Sequence, residues 1–237
     1  MAFANLLRLG IALTKVVVTN GSPRMEKGNT ARVLLPFIQG MKEAGADVDL
    51  IYAKKMNIKG CIGEFHCWRE KIGECIFRDD MDDLYPLLKQ SDIFVIATPV
   101  YIPLPGEMQD LINRLYPLLD PRLEYRNGRT RVRFRNDVNI SKIVLVGTSG
   151  WWEIQNLDTI LRIAKEIALD ASVEFTGAIL SPHSSLMTQE NEKTREVYDS
   201  LRAVGRQLIA EGKMDRNLLK AISQPLVTRE EYFGLED

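Results

Sequence analysis

Short unbroken apolar runs alternate along this chain with apolar stripes at helical spacing; the runs predict buried strands and the stripes amphipathic helices. Val16-Val17-Val18-Thr19 is the first run. Leu34, Leu35, Ile38 and Met41 mark the helix after it, which is bent at Pro36 and stops near Gly45. A second strand is predicted at Val48–Tyr52, and Asp79-Asp80 caps a helix reaching about Lys89. Ile93–Ala97 reads as a strand covered on both faces and ended by Pro99. The series continues with a helix over Met108–Leu118, a strand at Ile143–Val146 and a helix carrying Leu157, Ile160, Leu161, Ala164 and Ile167. A strand at Val173–Leu180 and a long helix from about Glu190 to Ala210 complete it. Five strands separated by helices predict an α/β fold with an open parallel sheet wrapped on both faces.

Four segments depart from this rhythm. Residues 56–79 form an inserted loop holding all three cysteines of the chain. Residues 120–139 read as an inserted β-hairpin, because Asn127-Gly128 sits between alternating stretches. One face of that hairpin carries Arg129, Arg131, Arg133 and Arg135, a solvated basic face expected to pair with acidic neighbours. Residues 213–237 form a tail in which Leu226, Tyr232 and Phe233 must cover something, either their own subunit or a partner. Residues 1–14 read as a packed arm, since Arg8 interrupts their apolar positions and no cleavage pattern follows. The main unit is therefore 15–212.

Composition narrows the partners. The formal net charge is −1, which argues against generic binding of nucleic acid or of an anionic membrane, and no apolar run approaches the roughly 20 residues of a membrane helix. Three cysteines clustered between Cys61 and Cys75 read as reduced thiols or metal ligands more readily than as a disulfide framework, and a cytoplasmic setting is expected.

In an open parallel sheet, ligands bind beyond the carboxyl ends of the strands. The loops after the first, third and fourth strands have the chemistry for this. Asn20-Gly21-Ser22-Pro23-Arg24-Met25-Glu26-Lys27-Gly28-Asn29-Thr30 is a phosphate cradle: small residues admit close backbone approach, Ser22 and Thr30 offer hydroxyls, Arg24 brings a guanidinium, and a helix start follows. A Walker lysine is missing, as Asn29 follows Gly28, so binding is favoured over phosphoryl transfer. The second loop, Thr98 to Gly106, is stiffened by three prolines. The third, Gly147 to Glu153, joins small residues to Trp151 and Trp152, the latter read as a core or interface residue. A flat heterocycle suits the last two loops and its phosphate tail suits the first.

Gly-Ser-Pro-Arg followed by Gly-Asn-Thr, then Pro-Val-Tyr, then Asn113-Arg114, resembles the flavodoxin-like NAD(P)H-dependent FMN reductases. Cys61, Cys67-Trp68, Gly73-Glu74-Cys75 and Asp79-Asp80-Met81 resemble their iron–sulfur flavoprotein branch. The resemblance implies a flavodoxin-like sheet of order 2-1-3-4-5 with an FMN-binding domain over 15–212. It implies that Ser22, Arg24, Gly28, Asn29 and Thr30 hold the FMN phosphate. Pro99, Val100, Tyr101 and Ile102 would line the ribityl chain and ring, and Thr148, Ser149, Gly150 and Trp151 the other edge. No catalytic side chain is demanded, because the flavin carries the chemistry. NAD(P)H is the implied co-substrate, a quinone-like or other small molecule the acceptor, and a homodimer or homotetramer the assembly.

The cysteine loop departs from that branch. Its four-cysteine array suits a [4Fe-4S] cluster, but only Cys61, Cys67 and Cys75 match it, with Glu64 in the second position. Carboxylate oxygen is a poorer ligand than thiolate for sulfide-bridged iron, so a bound cluster is not expected. Zinc held with His66 is expected less, since His66 and Cys67 are adjacent. His183, in a loop after the last strand, reads as a local hydrogen-bonding residue. The reading is an FMN-dependent oxidoreductase; the alternatives are an iron–sulfur flavoprotein electron carrier, whose partner is a redox protein, and a non-redox nucleotide-binding regulator.

Overall fold

The computed structural model describes residues 13–234, so the arm expected over 1–14 lies almost wholly outside the described residues. Seven strands are present: β1 (Lys15–Asn20), β2 (Asp47–Tyr52), β3 (Ile93–Pro99), β4 (Leu119–Arg126), β5 (Arg129–Phe134), β6 (Lys142–Thr148) and β7 (Glu174–Ser181). Eight helices accompany them: α1 (Asn29–Glu43), α2 (His66–Arg69), α3 (Met81–Gln90), α4 (Gly106–Asn113), α5 (Asp158–Ala171), α6 (Glu192–Glu211), α7 (Arg216–Ser223) and α8 (Arg229–Phe233). Five strands form one parallel sheet in the order β2-β1-β3-β6-β7, and β4 with β5 forms a separate antiparallel pair. Counting only the strands of the large sheet, the order is 2-1-3-4-5, which is that of flavodoxin.

Alternation along the strands divides the core into two layers. Val16 and Val18, Ile93 and Val95, Val144 and Val146 face α1 and α6, whereas Val17, Phe94, Ile96, Ile143 and Leu145 face α3, α4 and α5. Both faces of the sheet are thus dry, which explains why the strands read as continuous apolar runs. On the first face, α1 and α6 meet backbone to backbone. A Cβ on Gly40 would lie 2.0 Å from the Arg202 carbonyl oxygen, and one on Gly205 would lie 2.2 Å from that of Phe37.

Several boundaries differ from the sequence reading for identifiable reasons. The helix expected over Met108–Leu118 ends at Asn113, and a separate 3-10 turn covers Tyr116–Leu118. Pro117 has no amide to donate to the Asn113 carbonyl and its ring crowds that carbonyl, so the α-helical ladder ends there. Asp80 occupies the N-cap of α3 but its carboxylate accepts from the Asn57 amide (2.7 Å), while Asp79 accepts from Met81 (3.2 Å). Helix α1 runs through Pro36 without a break. The hairpin strands end at Phe134, and the chain returns to the body where the Asn139 amide donates to Lys89 O (2.8 Å).

The basic face of the hairpin is answered by acids. Arg131 pairs with Glu166 (2.8 Å) and Asp170 (2.6 Å) of α5, and Arg126 and Arg133 both hold Glu124. The tail folds over its own chain, with α7 against β7 and Leu226 buried in the α1–α6 layer. Phe233 remains half exposed.

Beneath the cysteine loop lies an ion pair whose side chains are each 1% exposed: Arg114 donates to Asp79 at 2.7 and 3.1 Å and to the Lys59 carbonyl at 2.6 Å. Burial alone would raise the Asp79 carboxyl. The Arg114 bonds and the Lys59 and Met81 amides outweigh it and hold the carboxyl below the usual carboxylate range. This stabilisation is therefore full above about pH 4, where an unfolded aspartate is already charged, and is lost as pH falls through the lower folded value. Replacing Asp79 by asparagine leaves a buried guanidinium without its counter-charge and is expected to cost about 3–5 kcal/mol, measured by urea unfolding near neutral pH. A loss below about 1 kcal/mol would show that the pair is not a strut.

Candidate functional site

The parallel registers Asn20↔Ala97 and Pro99↔Thr148 bring the carboxyl ends of β1, β3 and β6 to one rim. A cleft of about 170 Å³ opens there. From the first loop its walls take Ser22, Arg24, Asn29 and Thr30, from the second Pro99, Val100 and Tyr101, and from the third Thr148, Ser149 and Gly150. Thr30 and Thr148, far apart in sequence, touch hydroxyl to hydroxyl at 2.8 Å across the floor. The second loop continues the sheet, as the Val100 amide donates to Thr148 O (2.8 Å).

The first loop folds as the residue types require. Asn20 ends β1 fully buried, and its side-chain oxygen accepts from the Ser22 amide at 2.9 Å, closing an Asx turn. A 3-10 turn over Met25–Lys27 follows, and α1 starts with Gly28 as its N-cap and no side chain capping it. The Ala31 amide donates to Gly28 O (3.1 Å), and the Asn29 and Thr30 amides, at the helix start, have no intrahelical acceptor. Arg24 is exposed and in no ion pair among the described residues.

Three expected residues do not line the cleft. Gly28 stands behind it: a Cβ there would come within 2.4 Å of Ser22 Oγ, so glycine lets the helix start seat against that hydroxyl. Ile102, 99% exposed, projects into solvent at the apex of the proline-rich loop, and Trp151, 63% exposed, stands clear of the walls. One wall residue was not anticipated. Ser184, from a 3-10 turn after β7, lines the cleft and donates through both its amide (2.9 Å) and its hydroxyl (3.0 Å) to Ser149 O. The run Ser181-Pro182-His183-Ser184-Ser185 beyond a strand end was its only signal.

His183 serves locally. It is buried with left-handed backbone (φ 34°), its amide donates to Trp151 O (2.8 Å), and its Nε2 accepts from the Leu226 amide (3.0 Å). The tail adds further ties to the third loop: Tyr232 donates to Gly150 O, and half-buried Trp152 donates to Val227 O at 3.4 Å. The third loop is thus shaped by a segment far downstream of it.

The cysteine loop encloses a second cavity of about 220 Å³, lined by Cys61, Glu64, Cys67 and Cys75 together with Arg114 and Tyr116. Cys67 and Cys75 are buried and Cys61 is exposed. Burial, with Cys75, Glu64 and Cys61 nearby, pushes the Cys67 thiol up to about 11. His66 is engaged with Glu70 at 3.0 Å and is not a cavity wall. Among the described residues no three His, Cys, Asp or Glu side chains converge as one metal ion requires.

This fold is flavodoxin-like, with a cleft at the sheet's carboxyl rim. Residues 14–130 match the family model for NADPH-dependent FMN reductases. An iron-sulfur flavoprotein of Archaeoglobus fulgidus is 34% identical over 104 residues, covering 44% of this chain and 46% of that protein. One from Methanocaldococcus jannaschii is 30% identical over 105 residues, covering 44% and 53%. The chain spans about half the length of the curated relatives it matches. Among solved structures, an NAD(P)H:quinone oxidoreductase from Methanothermobacter marburgensis superposes with a TM-score of 0.58 at 19% identity, covering 83% of this chain and 98% of that one. An FMN-dependent NADH-azoreductase from Bacillus anthracis, in complex with FMN, gives 0.58 at 13% identity, covering 83% and 100%. These likenesses carry the fold.

Two consequences are measurable. Removing the Tyr232 hydroxyl by Tyr232→Phe should lower unfolding free energy by about 0.5–1.5 kcal/mol in a urea titration. Burial lowers the proton affinity of His183, so it stays neutral in the fold. The unfolded chain takes up the proton near 6.5, and the stability held at this site declines as pH falls below that value. The stability difference between about pH 7.5 and about pH 5.5 should shrink in His183→Gln; an unchanged difference would assign that pH dependence to other groups.

Proposed function

We propose that the rim cleft holds FMN and that the chain is an oxidoreductase passing electrons from NAD(P)H to a quinone-like or other small acceptor. The observation that carries this is the closure of three separate loops on one cleft, with hydroxyls and an unpaired guanidinium at the end where a helix begins. The residues suit the group: the uncapped start of α1, Ser22 pressed against Gly28, and Arg24, in no ion pair among the described residues, together make a seat for a phosphate.

When bound, FMN supplies acceptance and redelivery of hydride. The protein's part is binding and orientation. Ser22, Arg24, Asn29 and Thr30 take the phosphate, Pro99 to Tyr101 give a stiff wall with fixed backbone directions, and Thr148 to Gly150 with Ser184 meet the opposite edge. Among the described residues no carboxylate or imidazole lines the cleft, which supports a role in binding and orientation for its side chains.

The exposed Tyr101, Ile102 and Trp151 flank the mouth with apolar surface, which supports both docking of a flat acceptor and a homodimer or homotetramer covering the rim. Among the described residues no helix is long and apolar enough to cross a membrane. Three free cysteines support a cytoplasmic setting.

Freshly purified protein should be yellow, or turn so with added FMN, and should bleach with NAD(P)H under anaerobic conditions. Arg24→Ala should weaken FMN binding by about 1.5–3 kcal/mol, the worth of a charge-assisted hydrogen bond, in a fluorescence titration. Unchanged affinity would place the phosphate elsewhere. Yellow protein indifferent to nicotinamide would favour the electron-carrier reading.

A further inference from the structure

The cavity under the cysteine loop has the frame of a polynuclear metal site but lacks one soft donor. Its frame is held independently of any metal. Asp79 and Arg114 brace it from below, the Gly73 amide donates to Cys67 O (2.9 Å), and Trp68 Nε1 donates to Tyr116 O (3.1 Å). Phe65 is held in left-handed backbone (φ 61°), unusual for a bulky residue, at the corner between Glu64 and Cys67. Arg114 lines the cavity and its Nε–H is buried without an acceptor. Cys61, Glu64, Cys67 and Cys75 ring about 220 Å³ without three of them converging. That is too open for one ion, whose sulfur ligands lie about 2.3 Å from it.

A four-iron cluster takes four thiolates, and this ring offers three. The fourth place is held by Glu64, an exposed residue whose carboxylate is a hard oxygen donor already solvated by water. Iron bridged by sulfide prefers thiolate, so Glu64 would have to give up its hydration for a weak bond.

We propose that this chain binds no four-iron cluster, that Glu64 alone accounts for this, and that the cavity is otherwise competent. The inference deepens the reading given above and rests on it in one respect: FMN in the rim cleft is then the single redox centre of the chain.

The test is anaerobic reconstitution with ferrous iron and sulfide of the wild-type chain and of Glu64→Cys, followed by desalting, iron and acid-labile sulfide assays and a visible spectrum. Because Glu64 is exposed, the substitution leaves the packed core untouched, and circular dichroism checks the fold. The expected result is no retained iron or sulfide in wild type and about four of each per chain, with broad absorption near the violet edge, in Glu64→Cys. Adding Cys75→Ser to Glu64→Cys should abolish the uptake. Wild type that retains a cluster overturns the proposal, and so does a folded Glu64→Cys that takes up none. Flavin content, read separately on the same samples, reports on the cleft alone, so failure of the FMN reading and failure of this inference give different results.

Discussion

Parallel pairing of β1, β3 and β6 is the constraint from which the rest follows. Parallel strands deliver all their carboxyl ends to one rim, and the registers Asn20↔Ala97 and Pro99↔Thr148 set those ends level. Loops separated by scores of residues are thereby forced to share one space, and the Thr30–Thr148 hydroxyl contact is the direct evidence of it. The two dry faces of the sheet make that arrangement stiff. A cleft at this rim is a product of winding, and its chemistry is set by what the loops carry.

The sheet, its order and the loops that meet at its rim were legible because each rests on strong local signals: continuous β-branched runs, a small-residue turn before a helix, and three closely spaced prolines. Local reading failed where a distant partner decides geometry. Ser184 became a wall through bonds to Ser149 O that no local pattern announces. Asp79 outdid Asp80 as a cap because Asn57 claimed the latter's carboxylate.

The periphery shows how charge and apolar surface are used up locally. Arginines of the hairpin, expected from the sequence to pair with acidic neighbours, are held by Glu124, Glu166 and Asp170. Arg24 is the contrast, a guanidinium at the cleft with no carboxylate assigned to it. Tail residues do not float beside the body: Leu226 fills the core, and Tyr232 reaches the same loop that forms the cleft's third wall. The third loop is therefore determined by residues on both sides of α6.

The glycine contact between α1 and α6 carries one more implication. Gly40 lies eleven residues along α1 from Asn29, about 16 Å at 1.5 Å per residue, at the opposite end from the anion seat. A helix behaves as a rod over that length, so its two ends cannot be placed independently. With Gly40 and Gly205 pressing main chain on main chain, α1 has no slack against its neighbour. A methyl group added at either glycine, remote from every cleft residue, would tilt the rod and carry the amide-lined mouth of the seat with it.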